Sequence, residues 1–191
     1  MSNALVIIDI QKDYFPGGNM EVINSEAAAS NARALLETFR SKNFPIIHVQ
    51  HVSTRKGATF FLQGTKGVEI HESVNPSGDE KIIIKNFPNS FRDTDLEDFL
   101  HSHGVKRIIF CGMMSHMCID ATVRAAFDKG FSCTVAHDAC ATRNLSHGGV
   151  DVPSLNVHAA FMAALGAVYA KMLSSKEIIE QIKRDLRLQA E

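Results

Sequence analysis

Three residues stand out because their types suit one reaction and their positions suit one place. Asp9 closes an apolar run (Ala4 to Asp9), Lys85 follows another (Lys81 to Ile84), and Cys118 lies shortly after a third (Arg107 to Gly112). A thiol is weakly reactive near neutral pH until a base takes its proton, and a carboxylate within hydrogen-bond reach can do so. A nearby ammonium favours thiolate over thiol and keeps the carboxylate ionised. Cys118 also falls near the start of a predicted helix. Free backbone N–H groups and the positive end of the helix dipole favour an anion there. The same N–H groups suit the oxyanion of a tetrahedral intermediate, at roughly 3–4 kcal/mol per donor.

Each residue also has a plainer role. An aspartate after a strand caps a turn, a lone lysine is a solvated charge, and a lone cysteine is a small buried hydrophobe. The combination is what points to chemistry. His116 offers a Cys–His dyad with Cys118, but two residues apart on a helix they face different sides.

The elements that must position these groups alternate along the chain. Apolar runs at Ala4 to Asp9, Pro45 to Val49, Lys81 to Ile84, Arg107 to Gly112, Phe131 to Ala136 and Ala167 to Met172 lack polar alternation. They read as strands buried on both faces of a parallel sheet. Helical patterns lie between them, over about 25–41, 94–103, 115–129 and 156–165, with a last helix from Ser175. In the first, Ala28, Ala32, Leu35, Leu36 and Phe39 share one face. Ser174 and Glu177 have the spacing of a capping box. The expected fold is an α/β three-layer sandwich, α/β/α, around a six-stranded, mostly parallel, doubly wound sheet, as one domain over residues 1–191. Such sheets gather chemistry beyond the carboxyl ends of their strands. The stretch from Gln50 to Glu80 is too long for an ordinary connection and reads as a lid, a subunit contact or an ordered surface excursion.

Composition narrows the partners. With 20 Lys plus Arg against 21 Asp plus Glu, the net charge of −1 gives no electrostatic reason to bind nucleic acid or an anionic membrane. The opening apolar segment is too short for a signal peptide or a membrane span, so a cytoplasmic location is expected. Cys111, Cys118, Cys133 and Cys140 form no Cys-x-x-Cys pair, and free thiols are expected.

The motifs together resemble the isochorismatase-like cysteine hydrolases, a superfamily that includes nicotinamidases, N-carbamoylsarcosine amidases and isochorismatases. The similarity covers nearly the whole chain. It is carried by Ala4-Leu-Val-Ile-Ile-Asp9-Ile-Gln11-Lys-Asp13, by the segment from Lys85 to Leu96, by Gly112-Met-Met-Ser115-His-Met-Cys118-Ile-Asp-Ala-Thr122, and by Asp138-Ala-Cys-Ala-Thr142. The resemblance implies an Asp9–Lys85–Cys118 triad: Asp9 as base and later acid, Lys85 as the stabilising cation, Cys118 as the sulfur of a thioester. It also implies a cis peptide between Met113 and Met114, with the N–H groups of Met114 and Cys118 in the oxyanion hole. Dimers or larger assemblies are implied as well.

Two departures refine this. Nicotinamidases carry a metal-binding Asp-x-His after the second strand, where this chain reads His51-Val52-Ser53. His48 and His51, three apart on a strand, project to opposite faces, so His48, His51 and His71 are not expected to form a zinc site, and no metal or other cofactor is expected. Isochorismatase itself cleaves a vinyl ether, and the resemblance implies that this needs no thiol. The presence of Cys118 therefore favours hydrolysis of a small amide or carbamoyl compound. The alternatives are vinyl-ether hydrolysis and a non-catalytic small-molecule-binding scaffold. Phe15 and Phe87 are the expected substrate-binding aromatics, while Arg55 and Arg92 are the weaker candidates for a carboxylate clamp.

Overall fold

The computed structural model describes residues 2–188. Six strands form one sheet in the order β3-β2-β1-β4-β5-β8, every neighbouring pair parallel. They are β1 (Ser2–Ile8), β2 (Ile46–His51), β3 (Lys81–Lys85), β4 (Val105–Met113), β5 (Ser132–Ala141) and β8 (Lys171–Leu173). A short antiparallel hairpin, β6 (Leu145–His147) and β7 (Val150–Val152), stands apart from the sheet. The helices are α1 (Ser25–Arg40), α2 (Leu96–Ser102), α3 (Asp120–Asp128), α4 (Ser154–Val168) and α5 (Ser175–Leu188). One face of the sheet packs on α1 and α5, through residues such as Leu35, Leu36, Phe39, Ile178 and Ile182. The other packs on α2, α3 and α4, through Leu100, Val123, Ala126 and Leu165. This is the expected α/β sandwich.

The apolar runs explain this order. Ala4, Leu5, Val6, Ile7 and Ile8 are all buried, as a strand covered on both faces must be. The expected face of α1 is the buried one, and Ser174 and Glu177 exchange the bonds of a capping box. Pro45 ends the turn after α1, and its carbonyl accepts from Leu5 N–H at the start of the β1–β2 pairing.

Three expectations change. β3 is an edge strand, so Ile82 and Ile84 are exposed rather than covered. The sixth strand is only Lys171–Leu173, because α4 continues through Ala167 and Val168. The β6–β7 hairpin was not expected at all. Its turn, Gly148-Gly149, has positive φ at both residues, as a tight hairpin requires.

The chain runs from β1 outward to β3, then crosses to β4 on the other side of β1. The order therefore reverses between β1 and β4, where parallel sheets open a crevice at their carboxyl ends. There the two strands press together. Gly112 pairs with Ile8 at φ 128°, and a Cβ on it would lie 1.9 Å from the Ile8 carbonyl oxygen. Only glycine fits.

The excursion from Gln50 to Glu80 is stitched down. Gln11 donates to the carbonyls of His51 (2.9 Å) and Val68 (2.7 Å) and accepts from His51 N–H (2.8 Å). Asp13, buried, accepts from Phe61 N–H at 2.6 Å and from Asn19. Gly67 lies so close to the Asp13 carboxylate that a Cβ would overlap it at 2.1 Å. Among the described residues, no helix is long and apolar enough to cross a membrane.

Candidate active site

Asp9 directly follows β1, His51 ends β2, Lys85 ends β3, and Cys118 lies in the π-helical turn Ser115–Ile119 after β4. These are the carboxyl ends of four parallel strands, and the four side chains meet. Lys85 Nζ lies 2.8 Å from Asp9 Oδ2, 3.1 Å from Cys118 Sγ and 3.1 Å from His51 Nδ1. It also faces the carbonyls of Phe87 (3.1 Å) and Pro88 (3.3 Å). Asp9, Lys85 and Cys118 are all buried.

The expected Asp9–Lys85–Cys118 triad requires correction. The donor atoms of Asp9, His51 and Cys118 all lie within 4.8 Å of one another, so the cluster around the sulfur is Asp9–His51–Cys118. Lys85 is instead the salt-bridge partner of Asp9. Strand order explains why His51 belongs. β2 lies between β1 and β3, so a bridge from Lys85 to Asp9 passes over the end of β2. His48 lies on the other face of β2 and meets Glu80 at 2.8 Å. His51 lies two residues beyond the apolar run Pro45 to Val49, and closes β2 as Lys85 closes β3.

The three donors of the cluster are of metal-ligating type, but they converge on the Lys85 nitrogen. Burial would lower the pKa of that amine. Asp9 and the Cys118 sulfur outweigh burial, and the net direction is up. An ammonium therefore stands at the position that a cation bound by these donors would take.

The same surroundings fix the other protons. Burial, reinforced by Asp9, raises the pKa of the Cys118 thiol, and Lys85 only partly opposes them. Burial thus works against the thiolate that the ammonium favours. Burial lowers the pKa of His51, so its ring is neutral at neutral pH. An ammonium only donates. Nδ1 of His51 must then accept from Lys85, which leaves the ring proton on Nε2. The approach of His51 Nδ1 to Asp9 Oδ2, 3.9 Å, is thus two acceptors facing one ammonium.

Neither oxygen of Asp9 makes a well-formed hydrogen bond among the described residues, although Oδ2 faces Lys85. Asp9 also has positive φ (51°), a conformation that aspartate adopts more readily than most residues. The peptide between Met113 and Met114 is cis. The turn that carries Cys118 is held from β5 and α4. Ser115 Oγ meets His158 Nδ1 at 2.8 Å and the Ala141 carbonyl at 3.3 Å, and His116 Nδ1 meets Thr142 Oγ1 at 2.6 Å. His116 therefore supports the turn.

Phe15 is buried and stacks on His71, ring centroids 3.6 Å apart, on the wall of a cleft of about 540 Å³ with Lys12 and Gly67. Phe87 takes part in the cluster through its carbonyl, while its ring lies under the Arg92 guanidinium at 3.6 Å. His71 stacks rather than joining a metal set. The four cysteines are unpaired and buried.

The isochorismatase domain model matches residues 3–176. The chain belongs to the isochorismatase family. It is 51% identical over 180 residues to the uncharacterised isochorismatase family protein YddQ of Bacillus subtilis (strain 168), covering 94% of this chain and all of that one. It is 39% identical to the secreted isochorismatase effector Isc1 of Verticillium dahliae, over 92% of this chain and 90% of that one. A solved structure from Oleispira antarctica, assigned to the isochorismatase hydrolases, superposes with a TM-score of 0.91 at 46% identity, covering 94% of this chain and 96% of that one.

Proposed function

We propose that this isochorismatase-family chain is a cysteine hydrolase that cleaves a C–N bond of a small amide or carbamoyl compound through a Cys118 thioester, without a metal. The observation that carries this reading is a buried sulfur whose Sγ lies within 4.8 Å of a buried carboxylate oxygen, at the carboxyl ends of neighbouring strands. A thiol with a raised pKa needs a base at the moment of attack, and Asp9 is the base in reach.

The Cys118 sulfur attacks the substrate carbonyl carbon as its proton passes to an Asp9 oxygen. The carbonyl oxygen becomes an oxyanion, for which the N–H groups of Met114 and Cys118 are the proposed donors. Collapse returns the proton from Asp9 to the leaving nitrogen, and ammonia or an amine departs from the thioester. Water then attacks the thioester and gives its proton to Asp9. The acid leaves, and the Cys118 thiol is restored. Lys85 stays protonated throughout. It remains the salt-bridge partner of Asp9.

The test is Cys118→Ala, assayed by ammonia release and mass spectrometry over amides, carbamoyl compounds and isochorismate. Turnover should fall by roughly 10³-fold or more, with the circular dichroism spectrum and melting unchanged. Full activity in a folded variant would dismiss the reading. The similarity to the isochorismatase effector Isc1 supports a second reading, vinyl-ether hydrolysis. Cleavage of isochorismate that survives the loss of the sulfur would favour it.

A further inference from the structure

Two hydrogen-bond donors beside the cluster have no task in the chemistry just described. The first is Nε2–H of His51. The Lys85 ammonium takes Nδ1, so the ring proton lies on the other nitrogen. Nε2 finds no partner among the described residues, nor is it among the fully enclosed polar atoms. The second is the hydroxyl of Tyr14. The side chain is buried, and its oxygen likewise bonds nothing among the described residues without being fully enclosed. Burial first, with the negative charge of Asp9 adding to it, raises the pKa of the phenol.

The two residues flank one ring. Tyr14 lies 4.6 Å from Phe61 and His51 lies 5.7 Å from it, centroid to centroid. Phe61 is itself pinned, buried, through its N–H to Asp13. His51 is pinned by both of its backbone groups to Gln11. Neither donor needs to be ordered by a ligand. A buried donor left unpaired costs more than the same group served by an acceptor. A site built this way rejects molecules that lack the acceptor more strongly than an apolar wall would.

We propose that His51 and Tyr14 form an oxygen-reading subsite beside Cys118. Nε2–H and the phenol O–H donate to an oxygen of the substrate other than the scissile carbonyl. The preferred substrates are small amides with a second oxygen acceptor, carboxylate or carbonyl. This rests on the cysteine-hydrolase reading for its turnover arm alone. His51 acts here as a specificity residue and transfers no proton.

The turnover arm compares malonamate and malonamide, which carry the acceptor as carboxylate and carbonyl, with propionamide, which carries none. The wild-type enzyme should prefer at least one acceptor-bearing amide about tenfold or more in kcat/KM. His51→Phe and Tyr14→Phe should each bring that ratio towards one, mainly through KM, and His51→Gln, which keeps an N–H donor, should restore most of it. A ratio unchanged in both phenylalanine variants overturns the proposal. Which amide wins tells a carboxylate from a carbonyl. The second arm needs no turnover. In ¹⁵N-histidine-labelled protein, His51 should carry its proton on Nε2, and added malonate should shift that resonance in wild type but not in Tyr14→Phe. A proton on Nδ1, or no response to malonate, overturns the subsite even if amides are cleaved. If both arms bear the subsite out while Cys118→Ala keeps full turnover, the thioester reading fails and the subsite stands.

Discussion

β2 carries a half-buried polar cluster towards its amino end and a buried one at its carboxyl end, and they are built on opposite plans. At the amino end, the Glu80 carboxylate accepts twice from Arg40 (2.6 and 2.8 Å), once from Ser77 N–H (3.0 Å) and meets His48 at 2.8 Å. Burial alone would raise its pKa, but these bonds outweigh burial and hold it at about 2. At the carboxyl end, one ammonium faces five acceptors, Asp9 Oδ2, His51 Nδ1, Cys118 Sγ and two carbonyls, and it has three protons to give. Asp9 is left without a well-formed bond. In the first cluster the carboxylate is fully served and ties α1, β2 and the approach to β3 together, although His48 Nδ1 finds no partner among the described residues. In the second, the carboxylate faces a single cation that other acceptors share. What separates the two is how the carboxylate is held: Glu80 accepts from three different groups, whereas Asp9 depends on one shared ammonium.

Breaking each cluster should therefore fail in a different currency. The largest effect expected is on rate. Asp9→Asn removes the base and should lower kcat by roughly 10²–10⁴-fold, measured with any amide that the screen identifies. Next is Lys85→Met, which leaves the Asp9 carboxylate buried without its cation. Urea unfolding should show a loss of about 3–5 kcal/mol, and adding Asp9→Asn to it should return much of that stability. If the double variant is no better than the single one, the ion pair is not what Lys85 contributes to folding. Smallest is Glu80→Gln, which should cost about 1–3 kcal/mol and leave kcat within twofold. Its signature is in acid. A carboxylate depressed from 4.5 to about 2 stabilises the fold above pH 4.5, and that stability is lost as pH falls towards 2. The wild type should lose up to about 3 kcal/mol over this window, and Glu80→Gln should lose correspondingly less. An equal acid slope in both proteins would move the effect elsewhere.

Most of the frame was legible because the sheet is parallel. Strands buried on both faces write continuous apolar runs, and the helices between them carry a 3.6-residue stripe. What the sequence obscured follows from the same physics. β3 has the apolar run of a covered strand but lies at an edge. Ala167 and Val168 extend a helix, because an apolar dipeptide carries no period of its own. β6 and β7, three residues each, are too short to show alternation. In the site, Asp9, Lys85 and Cys118 were legible from their places after apolar runs. His51 occupies an equivalent place but was weighed only against a metal motif that it fails to match. Its role depends on strand order, and strand order is not written in any one stretch of residues.

The stitching of residues 11–13 to the excursion between β2 and β3 has a consequence for how the family could diversify. The peptide just after Asp9 and the far side of the excursion are one casting: Gln11 grips His51 and Val68, and Asp13 grips Phe61. A wall fastened this close to the base cannot swing open to admit a bulkier guest without dragging the carboxylate along. A change of diet in this scaffold would come from recutting side chains on a fixed wall, or from rebuilding the β5–β6 side, which bears no such clamp on Asp9.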